Sequence, residues 1–237
     1  MSSLRILMYH KISESETDFL TVNSQQLKQQ LLWLKEHYHI IKLSDLQKHI
    51  EFKTALPQNA LLITFDDGYK NNYELAYPIF KELNVPFSIF LVSDFINQSL
   101  LYDNQIQDFL NTNQLLAMSD IVEFGLHGLN HANINELSED ELKHEVKTSL
   151  EKTNSFTNNL VPIWAYTYGA YPKKDKIKMQ NLINIFKDNK IVAAMRIGNR
   201  INSLPIKAPY EIQRIDIRGE FSFNTFRRKV KYGKFGF

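Results

Sequence analysis

Short apolar runs of strand length alternate with longer runs of helical period over most of this chain. Residues 4–9, 39–43, 60–65, 86–92, 121–125, 161–166, 190–194 and 211–217 read as strands, being short, rich in apolar side chains and bounded by polar or turn-forming residues. Between them, 24–35 sets Leu27, Leu31 and Leu34 on one helical face behind Asn23 or Ser24 as the cap, and 69–83 aligns Tyr73, Tyr77 and Phe80. Further helices are expected at 44–50, 104–116, 138–156 and 173–187, with Glu141 spaced from Ser138 for a capping box. Repeated strand–helix units mean parallel strands joined by crossovers. About seven such strands in a chain of this length fit one α/β domain, a distorted or incomplete (β/α) barrel, better than two small domains. No Gly/Ser-rich or Pro-rich linker interrupts the pattern.

Composition narrows this picture. The chain contains no cysteine, so disulfides and thiolate metal sites are excluded. A net charge of +2 conceals an asymmetry: the last sixteen residues, 222–237, carry +5, which leaves −3 on the other 221. A mildly acidic body, residues 1–221, with a basic aromatic tail argues against general nucleic-acid binding and for one localised anionic contact. The apolar run within residues 1–10 is too short for a secretory signal, and no stretch is long enough for a membrane helix. A cytoplasmic location is therefore expected.

Three segments carry chemistry. Thr64-Phe-Asp-Asp-Gly68 ends an apolar strand with two adjacent carboxylates. Such a pair is costly beside a buried strand unless something positive is near, and a solvated Asp-Asp-Gly turn is the plain alternative. His127-Gly-Leu-Asn-His131 offers two imidazoles at a spacing that lets both reach one metal, at the end of another strand. Two histidines and one aspartate make a three-ligand zinc set with an open position for water. Trp164-Ala-Tyr-Thr-Tyr-Gly-Ala-Tyr171 follows a third strand, and its Tyr-Gly turn can bring a backbone N–H close to a ligand.

In this order the three segments resemble the polysaccharide deacetylases (the NodB-homology group, carbohydrate esterase family 4), over roughly residues 61–171. The resemblance implies a NodB-type (β/α) barrel and metal-dependent removal of acetyl groups from amino sugars. It makes Asp66 the general base, Asp67, His127 and His131 the metal ligands, and Tyr168 the donor of an oxyanion-binding backbone N–H. Zinc is the expected metal, with cobalt, nickel or iron also compatible. Two departures stand out. Where the family often has Arg and Pro in its third motif, this chain has Ala165 and Thr167, so the cation that tunes the base is unassigned. The late Leu-x-His motif that supplies a general acid is missing, because no histidine follows His144; His10, after the first strand, is positioned to replace it. This opening resembles a circularly permuted branch of the family.

The expected substrate is an N-acetylhexosamine in a glycan or glycolipid. The absence of an export signal, together with the cations and rings of residues 226–237, points to a lipid-linked precursor at the inner membrane face, as in lipopolysaccharide modification, with the tail in peripheral contact with the membrane. Two other classes compete: a deacetylase of a soluble small amide, and a catalytically idle carbohydrate-binding relative.

Overall fold

The computed structural model describes residues 3–102 and 104–234. Strand β1 (Ser3–Tyr9) leads through the short pair β2 (Lys11–Ser13) and β3 (Thr21–Asn23) into helix α1 (Ser24–His37). A two-residue β4 (His39–Ile40), helix α2 (Leu43–Phe52) and β5 (Ala60–Phe65) follow, then a π-helical turn at Asn72–Ala76 that continues as α3 (Tyr77–Glu82). Next come β6 (Phe87–Leu91), a hairpin of β7 (Ser99–Tyr102) and β8 (Gln105–Asp108), α4 (Thr112–Ala117), β9 (Val122–Leu126) and α5 (Glu139–Phe156). The chain ends with β10 (Leu160–Ala165), α6 (Lys176–Asp188), β11 (Ala193–Ile197), β12 (Asn202–Ser203), β13 (Ile212–Asp216) and α7 (Phe223–Tyr232).

Seven of these strands close a parallel ring in the order β1-β13-β11-β10-β9-β6-β5, with β5 paired back to β1. The expected (β/α) barrel is thus present, as one α/β domain. Its closure is uneven. β1 and β5 match over six residues, whereas β1 and β13 match only at Leu7↔Ile215 and Met8↔Asp216. Strand β12 runs antiparallel to the start of β1, and β4 flanks β5 outside the ring.

Both faces of the ring are buried, which explains why strands such as β5 read as continuous apolar runs. One set of alternate residues, including Leu4, Ile6, Ala60, Leu62, Phe90, Ile163, Ala165, Ala193, Met195 and Ile212, packs together as the barrel interior. The other set, among them Leu61, Ile63, Phe65, Phe87, Ile89, Phe124 and Ile215, packs against the surrounding helices. Gly125 belongs to the inner set, where a Cβ would lie 2.4 Å from the Phe90 ring that fills the lumen.

The caps follow the sequence. Asn23 caps α1, accepting from Gln25 N at 2.9 Å, and Ser138 and Glu141 form the reciprocal box that starts α5. Two expectations fail. The helix expected at 104–116 shrinks to α4, and its first half is instead part of the β7–β8 hairpin. There Leu101 faces Ile106 across the ladder and Asn104 turns the chain with φ 61°. The short Gln-Ile-Gln alternation of β8 is masked by the helical spacing of Ile106, Phe109 and Leu110.

The second failure is the C-terminal tail. Residues 223–232 form a helix whose Ser222 accepts from Thr225 N at 3.2 Å. Phe226 and Val230 are completely buried, with the Phe226 ring 5.9 Å from that of Trp33 on α1. Phe226 is therefore part of the core and cannot enter a membrane surface, while Phe235 and Phe237 lie outside the described residues. Among the described residues, no helix is long and apolar enough to cross a membrane.

Candidate active site

The carboxyl ends of β5, β9, β10 and β13 and the segment after β1 converge on one cavity of about 360 Å³, as (β/α) barrels require of their sites. Every sequence-predicted site residue lines it: His10, Asp66, Asp67, His127, His131 and Tyr168. The period of two explains much of this placement. Asp66 continues the inner set of β5 through Leu62 and Thr64, and His127 continues that of β9 two residues beyond Gly125.

Asp67 departs from the period. It takes a left-handed conformation, φ 72°, so that its carboxylate turns back toward the two histidines, with Gly68 at φ 80° completing the turn. His131 and Tyr168 are also left-handed, at φ 63° and 56°. Three such residues at three strand ends of one cavity mark a backbone held in sparsely populated conformations by its surroundings. One of the braces is Glu145 on α5, whose buried carboxylate accepts from Leu129 N at 2.7 Å and so supports the His127–His131 loop. A Cβ on Gly128 (φ 93°) would meet that same carboxylate oxygen at 2.7 Å.

The three proposed ligands fit a metal. Asp67 Oδ1 is buried without a well-formed hydrogen bond and faces His127 Nε2 at 3.4 Å and His131 Nε2 at 3.3 Å. Ligand atoms at bonds of ~2.0–2.1 Å in a tetrahedral site stand about 3.3–3.4 Å apart, so the spacing matches. Asp67, His127 and His131 form the one such cluster among the described residues. The other ring nitrogens are engaged: His127 Nδ1 lies 2.8 Å from Ala165 O, and His131 Nδ1 lies 2.9 Å from Tyr102 Oη. A carbonyl can only accept, so Nδ1 of His127 carries the proton and Nε2 is left as the ligand atom. Tyr102 reaches this position on the β7–β8 hairpin, whose second strand falls within the span expected to be helical.

Asp66 has a different environment. Arg214, fully buried on β13, donates to both of its oxygens at 2.6 and 2.7 Å. Burial alone would raise the Asp66 pKa, but the guanidinium, with His127, holds it below the ordinary carboxylate value. Arg214 is the residue that sequence reasoning missed. The signal was present in Ile212-Gln-Arg-Ile-Asp-Ile217, since an arginine inside a buried strand needs a carboxylate partner. Ala165, where the resemblance suggested an arginine, is an inward position of β10; the cation comes instead from β13.

His10 hangs just beyond β1, its carbonyl accepting from Asn72 Nδ2 at 2.8 Å. Burial lowers its pKa, partly offset by the two aspartates. In the turn after β10, Gly169 N and Ala170 N are committed to Tyr166 O and Thr167 O, while the Tyr168 ring stands edge-on to His131 with centroids 4.6 Å apart.

Comparison with known proteins agrees with this geometry. The family model described as polysaccharide deacetylase matches residues 53–185, more than half of the chain. The chain belongs to the polysaccharide deacetylase family. It is similar to the Bacillus subtilis (strain 168) protein YxkH, whose name places it with the polysaccharide deacetylases, at 25% identity over 72% of this chain and 58% of that one. A poly-β-1,6-N-acetyl-D-glucosamine N-deacetylase of Staphylococcus epidermidis is 26% identical over 75% of this chain and 68% of that protein. Among solved structures, IcaB from Ammonifex degensii superposes with a TM-score of 0.80 at 18% identity, covering 98% and 97% of the two chains. Streptococcus pyogenes deacetylase PplD, in complex with acetate, gives 0.77 at 20% identity, covering 96% and 98%. These structural likenesses concern the fold.

Proposed function

We propose that this protein hydrolyses the N-acetyl amide of an N-acetylhexosamine in a glycan, releasing acetate and a free amine. The observation that carries the proposal is the convergence, in one cavity, of a three-ligand cluster on Asp67 with a separate ionised carboxylate, Asp66, held by Arg214. An idle carbohydrate-binding relative has no use for that division of labour. The substrate class follows from the family and from the poly-N-acetylglucosamine deacetylase among the relatives. Residues 223–232 of the segment that pointed toward a lipid carrier form a packed helix, and the substrate is accordingly taken as the glycan.

Asp67, His127 and His131 would hold a divalent cation, which would supply Lewis acidity for the acetyl carbonyl and the attacking water. Asp66 accepts the proton of that water, because Arg214 keeps the carboxylate ionised in a buried site. As the carbonyl becomes tetrahedral, the Tyr168 N–H is the donor at the turn left for the oxyanion, since the next two are used internally. His10, which lines the same cavity, donates a proton to the departing sugar nitrogen. The C–N bond breaks and acetate leaves.

Acetate release from N-acetylglucosamine oligomers, measured on the purified protein supplied with zinc or cobalt, tests this reading. Turnover lost in Asp66→Asn supports it; no acetate from any N-acetylhexosamine oligomer with either metal overturns it.

A further inference from the structure

One wall of the cavity is built from groups that the reaction does not use. Phe19, half-exposed in the segment between β2 and β3, and Arg218, two residues past β13, both line the cavity. The Arg218 guanidinium lies over the Phe19 ring, 4.0 Å from its centroid, and Phe221 stands at 5.8 Å. Its Nε donates to Asp216 Oδ2 at 2.7 Å. Stacking and this one hydrogen bond fix the plane of the guanidinium, so little freedom is left to lose on binding. Its two terminal nitrogens have no hydrogen-bond partner among the described residues.

Charge is also in excess here. Asp216 is shared, because Lys229 on α7 sits 3.0 Å from its Oδ1. One carboxylate between two cations leaves a net positive charge, and Arg218 is the more exposed of the two cations. Beside it Asn199 lines the same cavity; its Oδ1 accepts from Asp216 N at 3.0 Å, which leaves the amide N–H₂ as its remaining donor group. This wall therefore presents donors with a positive charge, a few side chains from the proposed metal ligands.

We infer that Arg218, with Asn199, forms a subsite for an anionic oxygen group, a phosphate or a carboxylate, carried by the amino-sugar substrate next to the N-acetyl group being cleaved. The planar fork with two free nitrogens matches such a group in bidentate fashion. Arg218 is on this account a specificity residue, and the inference rests on the N-deacetylase reading given above.

The test uses three probes on the full chain treated with chelator, so that no probe binds a metal and none is turned over: N-acetylglucosamine 1-phosphate, N-acetylmuramic acid and neutral methyl N-acetylglucosaminide. Titration calorimetry at low ionic strength should show at least one anionic probe binding about tenfold or more tighter than the neutral one, a margin that shrinks with added salt. Which one wins separates phosphate from carboxylate. In R218Q the ratio of anionic to neutral affinity should fall about tenfold. R218K keeps the charge and loses the fork, so it should fall in between, and it serves as the reading if R218Q does not fold. Equal affinities in the wild type, no measurable binding of either anionic probe, or a ratio unchanged in the variants overturns the inference. Acetate release from neutral oligomers by the metal-supplied wild type reports on the deacetylase reading independently.

Discussion

Arg214 grips Asp66 with two hydrogen bonds of 2.6 and 2.7 Å across the top of the barrel, although β1 lies between their strands. Both groups are almost fully buried, so neither is satisfied without the other. Arg214→Met should therefore do two things. It removes the nearby cation while burial remains, so the Asp66 pKa rises and the acidic limb of the pH–rate profile moves to higher pH. It also leaves a buried carboxylate unpaired, at a cost of about 3–5 kcal/mol at neutral pH, measurable by denaturant unfolding. An unchanged acidic limb would separate Asp66 from the base role.

The two adjacent aspartates should behave differently when each is made an amide. Asp66→Asn should keep the metal and lose ~10²-fold or more in kcat, the usual worth of a general base. Asp67→Asn should lose metal, because the cluster on His127 and His131 needs its oxygen. Metal content and acetate release on both variants decide the matter, and the opposite pattern reverses the two roles.

Metal affinity should fall steeply as pH drops. Burial pulls the His127 pKa down, but the two aspartates outweigh it and raise it above the ordinary imidazole value. Protons therefore compete for Nε2 at higher pH than they would on a free imidazole, and affinity is lost as pH falls through that raised value. Competition titrations with a chromogenic chelator across pH would show it; an affinity flat with pH would contradict the ligand role of His127.

Tyr102→Phe removes the hydroxyl beside His131 Nδ1 while keeping the ring that packs on Phe95. A ligand's outer hydrogen bond is typically worth 10–100-fold in metal affinity. A loss of that order is expected, with little change in melting temperature.

Phe226→Ala tests the place of α7. The ring is fully buried among Trp33 and Phe223, so its removal should cost about 3–5 kcal/mol of stability. A variant as stable as the parent in urea would return these residues to the status of a loose tail.

The barrel and three strand ends of the site were legible because both rest on local regularities: apolar runs of strand length, and residues at fixed spacing beyond them. Asp66 and His127 follow from the alternation of their strands. What escaped depended on distant partners. Arg214 sits far along the chain from Asp66, and no local pattern joins them. Residues 104–116 were misread because Ile106, Phe109 and Leu110 fall at i, i+3 and i+4, the spacing of a helical face, while the alternation of β8 is only a few residues long. The basic C-terminal residues suggested a surface, yet α7 is amphipathic: Phe226 and Val230 face the core, Lys229 pairs with Asp216, and Arg227 and Lys231 lie over the Trp33 ring.

The thin seam between β1 and β13 has a consequence for how the site comes into being. All three ligands of the cluster precede residue 132, and the strands that carry them can pair with one another and with β1 as they emerge from synthesis. Arg214 and Asp216 arrive only with the last strand, which must find β1 again to shut the ring. Along the chain, the ligand set is therefore complete before the residue that neutralises the base appears. The guanidinium that steadies the base thus belongs to the strand that closes the ring, and α7 adds a tie across the same seam, Arg5 Nε of the first strand donating to Val230 O.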